Sequence, residues 1–343
     1  MERALRTAVM ACMRNEAMFV VEWVAYHRLI GFDTIFVCTN DCTDGTDAIL
    51  DRLAAKGEVI HIRNGEMDGL PPQARGVQRV LSHPETARCD WLLHIDADEF
   101  LNIHTGDGHV QDLLAVADGF DAMGISWRLF GDSGMSEWPG GLILEKQVMA
   151  EAKQTHFSAM QKTFFRPSRF RSGIDHMPKD PVATDIRLCN ARGRALRPDA
   201  LFLAGESNLR IAAGEEINRK RHFGWDGACI NHYAVRTRDL FLLKNVRGDG
   251  IGSRFQKRYF LNSRWYRAAN VNDVEDRSIQ RHMPALRKRL AALRKDLGLL
   301  SLERQAQAWF RAARKEHLTP DNVARWTNGP VEEVMIPDLR KAV

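Results

Sequence analysis

The 343-residue sequence has no run of the about eighteen apolar residues that a spanning helix needs. Its longest early apolar stretch, Ala8 to Met13, stops at Arg14-Asn15-Glu16. That is too short for the apolar core of a secretory leader and reads as a buried strand, so a cytoplasmic location is expected. Cysteines number six (12, 38, 42, 89, 189, 229), far below the density of a disulfide scaffold, and reduced thiols are expected. Cys38-x3-Cys42 has half the look of a metal site, but no second pair at ligand spacing follows it. Glycine (25) and proline (12) are too few for a collagen-like or low-complexity chain, and no internal repeat occurs. Net charge is only +5, and nucleic acid is not an expected partner. What is present is a 44% hydrophobic chain long enough for one large core and an appendage, since single cores stop growing at roughly 250–300 residues.

Strand and helix alternate through the first hundred residues. Thr7–Met13 predicts a buried strand, 16–29 a helix closed by Gly31, and Thr34–Thr39 a second continuous strand. The Asn40–Gly45 turn, rich in capping oxygens, leads into a helix over Thr46–Ala55. Glu58–Ile62 predicts a third strand, Pro71-Pro72 opens a helix to about Ser82, and Trp91–Ile95 predicts the fourth strand. Such alternation implies a mostly parallel sheet flanked by helices, which binds ligands beyond the carboxyl ends of its strands. After residue 100 come a strand within 119–130, a Gly/Ser/Pro-rich loop over 131–141, and a strand-like, His- and Arg-dense stretch to about 235. Thr237–Val246 and the chain from Pro284 onward read as helical.

The sharpest signal is WLLHIDADEF, residues 91–100. Residues i and i+2 of a strand face the same side, so Asp96 and Asp98 leave its end together. Two adjacent carboxylates repel unless something positive lies between them, and a hard divalent cation with open positions for phosphate oxygens suits the place. A solvated acidic turn is the bland alternative. Three carboxylates in four residues at a sheet edge favour the site.

With these residues, the chain resembles family-2-like glycosyltransferases of the GT-A fold, in a bacterial branch related to the family-92 group. The segments MRNEAMFVVEWVAYHRLIGFDTIFVCTNDCTDGT, HIDADEFL, WRLFGDSG and NHYAVRTRDLFLLKNVRG carry the resemblance over roughly residues 7–250. It implies a Rossmann-like nucleotide-sugar-binding half over 1–118, a mixed acceptor half of the same domain over 119–250, and a helical, basic extension over 251–343. The implied activity is inverting, Mn²⁺- or Mg²⁺-dependent transfer from a nucleotide-sugar, usually a UDP-sugar, to a glycan, lipid-linked or protein acceptor. By the same resemblance Asp96 would meet the ribose, diphosphate or metal, Asp98 would hold the metal, and His232 would complete its shell, with a packed histidine beside Tyr233 as the alternative. Arg14, Asn15 and Glu16 fall where uracil and ribose contacts lie; Asp44 falls where a carboxylate meets the base, with Asp41 its rival. Arg75 would reach the diphosphate or face solvent.

No transferable motif marks the catalytic base. Asp132 and Glu137 are the candidates, or else loop residues capping their own backbone. His156, Lys162, Asp175 and His176 form a second polar cluster that would line the acceptor site. Gly248-Asp249-Gly250-Ile251-Gly252 neither follows a strand nor opens a helix, so it is no phosphate cradle. Haloacid-dehalogenase-like phosphatases also carry D-x-D at a strand end. They need Thr or Val where Phe100 stands, and they place the motif on the first strand. A non-catalytic nucleotide-sugar-binding protein is the other alternative. Finally, ten Lys/Arg between residues 281 and 315 face only Asp296 and Glu303. With the stripe Leu286, Leu290, Leu293 and Leu297, they predict an amphipathic tail that either touches an anionic membrane or acidic partner, or packs on the domain.

Overall fold

The computed structural model describes residues 4–65, 69–155, 157–196, 224–247 and 259–328. The first half runs β1 (Thr7–Met13), α1 (Val20–Leu29), β2 (Thr34–Thr39), α2 (Thr46–Ala54), β3 (Ile60–Arg63), α3 (Pro72–Leu81), β4 (Trp91–His94), β5 (Glu99–Ile103), α4 (Val110–Leu114) and β6 (Ala122–Leu129). It continues with α5 (Ile143–Lys146), β7 (Met149–Ala150), β8 (Gln161–Phe165), β9 (Phe170–Gly173), β10 (Pro178–Pro181), β11 (Leu188–Asn190) and β12 (Ala195–Leu196). The remainder is β13 (Ala228–His232), α6 (Arg238–Arg247), α7 (Arg264–Ala269), β14 (Val274–Glu275), α8 (Met283–Leu293), α9 (Leu297–His317) and α10 (Pro320–Thr327). His156 and the 248–252 loop lie outside the described residues.

The main sheet has the order β12-β11-β6-β8-β4-β1-β2-β3, with β13 bridging β6 and β5. β4, β1, β2 and β3 are mutually parallel, and the nearly continuous burial of β4, β1 and β2 is what helices on both faces demand, while β3 at the edge is only half-buried. β8 enters antiparallel between β4 and β6, so the halves on either side of residue 118 share one sheet. The third strand begins two residues later than expected, because Glu58 and Val59 still belong to the turn after Gly57. Gly31 closes the first helix with φ +105°, as its position suggested. α3 lies hard against the sheet because residue 76 is glycine: a Cβ there would meet Cys12 Sγ at 2.3 Å.

The tail behaves differently from a membrane-facing element. It is two helices, broken where the Asp296 side chain accepts N–H bonds from Gly298 and Leu299 and caps α9. Leu286, Leu290 and Leu293 are buried in the same core as Val9, Trp23 and Leu93, packed on α1. The apolar stripe is therefore spent on packing. Leu297, 77% exposed, has left it. The basic flank is partly paired as well, Arg287 with Glu145 at 2.8 Å and Arg294 with Glu303 at 2.7 Å. Among the described residues no helix is long and apolar enough to cross a membrane.

Packing makes a direct prediction. Leu286→Ala should cost about 2–5 kcal/mol of stability by urea unfolding, whereas Leu297→Ala should stay within about 0.5 kcal/mol. Equal effects would contradict this assignment of the stripe.

Candidate active site

Each polar feature at the carboxyl ends of the strands is delivered by the fold. β4 ends at His94 and releases Asp96 and Asp98 into the turn before β5. β13 pairs with β5 so that His232 lies opposite Glu99, and α6 folds back to bring Lys244 to Asp98. β8, wedged beside β4, carries Lys162 under the same turn. Three non-glycine residues sit in the left-handed region around this rim: Asn15 (φ +54°), Asp41 (φ +50°) and Arg236 (φ +56°). Such conformations cost free energy and cluster where a site is being held in shape.

The carboxylates are organised around two buried lysines. Lys162, with no exposed side-chain area, donates to Asp96 Oδ2 at 2.9 Å and to the Asp175 carbonyl at 3.1 Å, and lies 3.6 Å from Glu99 Oε2. Gln73 of α3 donates to the other Asp96 oxygen at 3.1 Å. Burial alone would raise the Asp96 pKa, but the Lys162 ammonium outweighs it and holds the group at about 2. Glu99 goes the other way: burial dominates, neighbouring Asp96 adds to it, and its pKa stands well above the ordinary range despite Lys162. Asp98 accepts from Lys244 at 2.8 Å, and its other oxygen faces His232 Nε2 at 3.6 Å. Lys244, with help from His232, overcomes burial and keeps Asp98 well below the ordinary carboxylate range.

Among the described residues no group of three or more His, Cys, Asp or Glu is arranged as a metal-ion cluster. Asp98 Oδ1 and His232 Nε2 do face each other across a gap too long for a hydrogen bond. A carboxylate oxygen and an imidazole nitrogen are a sparse donor set. Mg²⁺ nonetheless often takes only one or two carboxylates and leaves its remaining positions to water and substrate phosphate. The pair thus fits a cation completed by a diphosphate. Asp96, with both oxygens engaged, fits it less well. The His232 ring also packs at a tilt against Trp127, 4.4 Å between ring centres, and its Nδ1 is buried without a hydrogen-bond partner among the described residues.

The remaining nucleotide-side candidates divide by what already occupies them. Asn15 clips two loops together: its Oδ1 accepts the Thr43 N–H at 2.8 Å and its amide donates to Thr43 Oγ1 at 3.1 Å. Asp44 accepts from the Ala17 and Thr46 N–H groups and from the Thr46 hydroxyl, and burial raises its pKa. Glu16 is buried under Arg236 at 2.7 Å and Arg247, and these guanidinium groups outweigh burial to lower its pKa. Asp41 is exposed on the rim and, among the described residues, meets only the Asn40 amide at 3.0 Å. The Nε atoms of Arg14 and Arg75 are buried without partners. Burial of Arg75 on α3 removes the solvent-facing alternative.

Asp132 and Glu137 make their contacts elsewhere. Asp132 accepts from Asn270 at 2.9 Å, Asn272 at 3.3 Å and the Gly134 N–H at 2.9 Å, the loop-capping role given as its alternative. Glu137 pairs with Arg314 at 2.6 Å. The polar cluster assigned to an acceptor site instead supplies Lys162 and the Asp175 carbonyl to the D-x-D turn, with His176 hydrogen-bonded to the Gln161 carbonyl at 3.0 Å. Residues absent from the sequence reading are Gln73, Arg236, Lys244 and Arg247. The last three lie inside the quoted NHYAVRTRDLFLLKNVRG segment, Arg236 just before α6 and Lys244 and Arg247 in its last turns. A cation that returns one helix later is the signal that could have found them.

Lys162→Met should cost about 3–5 kcal/mol at pH 7, because it strands buried carboxylates. Ionised Asp96 contributes stability above the unfolded carboxylate value of about 4, and this is lost as pH falls through about 2. The wild-type advantage over the variant should therefore shrink between pH 4 and pH 2, as followed by urea midpoints. A constant gap would refute the charge pairing.

A model of glycosyltransferase family 92 matches residues 8–184. A family 92 protein of Oryza sativa subsp. japonica is 26% identical over 173 residues, covering 48% of this chain and 28% of the relative. One from Ricinus communis is 26% identical over 142 residues, covering 40% and 25%. The chain thus spans about a quarter of the length of these relatives. Among solved structures, S. aureus TarS 1–349 with UDP-GlcNAc aligns at 15% identity and a TM-score of 0.32, over 50% of this chain and 51% of that one. Another structure of TarS 1–349 aligns at 12% and 0.35, over 94% and 83%. With the D-x-D turn, the parallel β3-β2-β1-β4 core and a family match across more than half of its residues, the chain belongs to glycosyltransferase family 92.

Proposed function

We propose that this protein transfers a sugar from a nucleotide-sugar, specifically a UDP-sugar, to a glycan, lipid-linked or protein acceptor, with inversion at the anomeric carbon. The observation that carries the reading is the D-x-D turn with one buried ammonium on each aspartate, Lys162 on Asp96 and Lys244 on Asp98. A leaving nucleoside diphosphate develops negative charge, and preorganised cations at that position stabilise it. The paired carboxylates hold both ammonium groups in place, so no reorganisation is needed when the charge appears.

Around that centre, Arg14 and the exposed Asp41 are the rim side chains left to meet base and ribose. Asn15, Glu16 and Asp44 shape the floor beneath them. Arg75, with an unpartnered Nε on the helix that also supplies Gln73, is assigned to the diphosphate. Asp98 and His232 would hold Mn²⁺ or Mg²⁺, which when bound adds a divalent charge at the leaving group. The acid–base assignment does not extend to Asp132, whose oxygens are engaged by Asn270, Asn272 and Gly134.

Asp98→Asn should lower transfer by about a hundredfold or more while circular dichroism stays unchanged, read as nucleotide release from a panel of nucleotide-sugars with Mn²⁺. Near-wild-type release by that variant in EDTA would remove the metal assignment. Absence of release from every nucleotide-sugar by the wild type would remove the transferase reading itself.

A further inference from the structure

Beyond the D-x-D turn, two open spaces flank α9. One cavity of about 680 Å³ lies between that helix and the loop Trp138–Leu142; a second of about 570 Å³ continues toward α6 and α10. They share Arg311 and Arg314, so the two form one elongated groove. Arg304, Gln307, Arg311 and Arg314 recur at helical spacing along α9 and line it as a single stripe.

The groove carries unneutralised positive charge. Arg294 is paired with Glu303, and Arg314 with Glu137 and Asp239. Arg304, Arg311, Arg238 and Lys315 make no ion pair with any described residue, although all four line the groove. The remaining lining acid, Glu22, is buried, its pKa is pushed up to about 7 by desolvation, and its oxygens accept the N–H groups of Ile143 and Leu144. On the facing wall Gly140 has φ +85° and an open Cβ position, so backbone rather than side chain borders the space.

We propose that this groove binds an anionic glycan chain, its carboxylate or phosphate groups held by Arg304, Arg311, Arg238 and Lys315. Four observations select that ligand. The charge faces a concave, elongated space, not the flat surface that would meet a membrane. The lining aromatics, Trp138 and Phe310, are buried, leaving no exposed ring faces on which nucleic-acid bases would stack. Unpaired guanidinium groups are suited to bidentate contacts with carboxylate and phosphate. The groove also meets the small cavity lined by Glu16, Asp44, Arg236 and Lys244 through Met18 and Phe310, common to both. An occupant would therefore lie beside the residues that shape the floor of the proposed nucleotide site. That such a chain is the acceptor rests on the proposed function; that it binds does not.

The test uses the full chain and fluorescence anisotropy of a labelled oligogalacturonate, with a neutral malto-oligosaccharide of equal length as control. Oligo(dT) and anionic phospholipid vesicles serve as competitors. The anionic glycan should bind, weaken as salt rises, and bind about tenfold or more weakly to Arg304→Gln/Arg311→Gln. That variant should keep the wild-type melting temperature, and Lys288→Gln/Lys295→Gln, altered outside the groove, should bind normally. Unchanged affinity in the arginine variant, equal loss in the lysine variant, or equal binding of the neutral glycan would overturn the proposal. So would stronger binding of oligo(dT) or vesicles through the same arginines. Loss of nucleotide release with glycan binding intact would count against the transferase reading alone.

Discussion

Burying a lysine is tolerable only if carboxylates come with it, and Lys162 imposes that condition on the rest of the molecule. Its ammonium has no solvent, so Asp96, Glu99 and the Asp175 carbonyl must converge on it. That convergence fixes the spacing between β4 and β8, and through β8 the position of β6 and the second half of the sheet. Lys244 repeats the arrangement on the opposite side, tying Asp98 to the helix that follows β13. The same contacts that settle the architecture also set charges at the strand ends. Structure and chemistry at this turn are therefore not separable by mutation of either lysine.

Much of this was legible in the sequence. Continuous apolar runs and glycine stops located β1, β2, β4 and the first three helices to within a few residues, because parallel strands buried on both faces leave no polar alternation to confuse them. Asp96 and Asp98 stood out because carboxylates crowd the end of such a run. Their pairing with lysines did not: Lys162 reads toward an acceptor site, and Lys244 is not singled out. Lys162 lies 64 residues beyond Asp98 and Lys244 a further 82, and nothing local distinguishes a lysine that will be buried from one that will be solvated. Asp44 and Asn15 show the converse difficulty: polar residues at strand ends that read toward ligand also tie neighbouring loops together. Turn chemistry and ligand chemistry use the same side chains.

Charge patterning was only partly informative. The basic amphipathic tail packs on the domain, one of the two readings of its leucine stripe, but composition cannot show the break at Asp296 or where each helix turns its apolar side. Once Asp296 caps α9 and pairs with Arg52 and Lys56 of the second helix region, the two tail helices point their cations in different directions. Those of α8 largely meet acids of the domain, and several of those on α9 line open space.

The place of α8 in the core has a consequence for the timing of synthesis. Val20 to His27 of α1 are buried on every side, and the outer side is covered by Leu286, Leu290 and Leu293. At ribosomal rates of about 5–20 residues per second, roughly fifteen to fifty seconds separate emergence of the first helix from that of its cover. During that interval α1 carries an apolar outer face with nothing on it. The nucleotide-side half is therefore first in the chain but among the last parts to be completed. A separately produced piece ending at residue 118 would lack both the cover of α1 and β8, the strand on one side of β4.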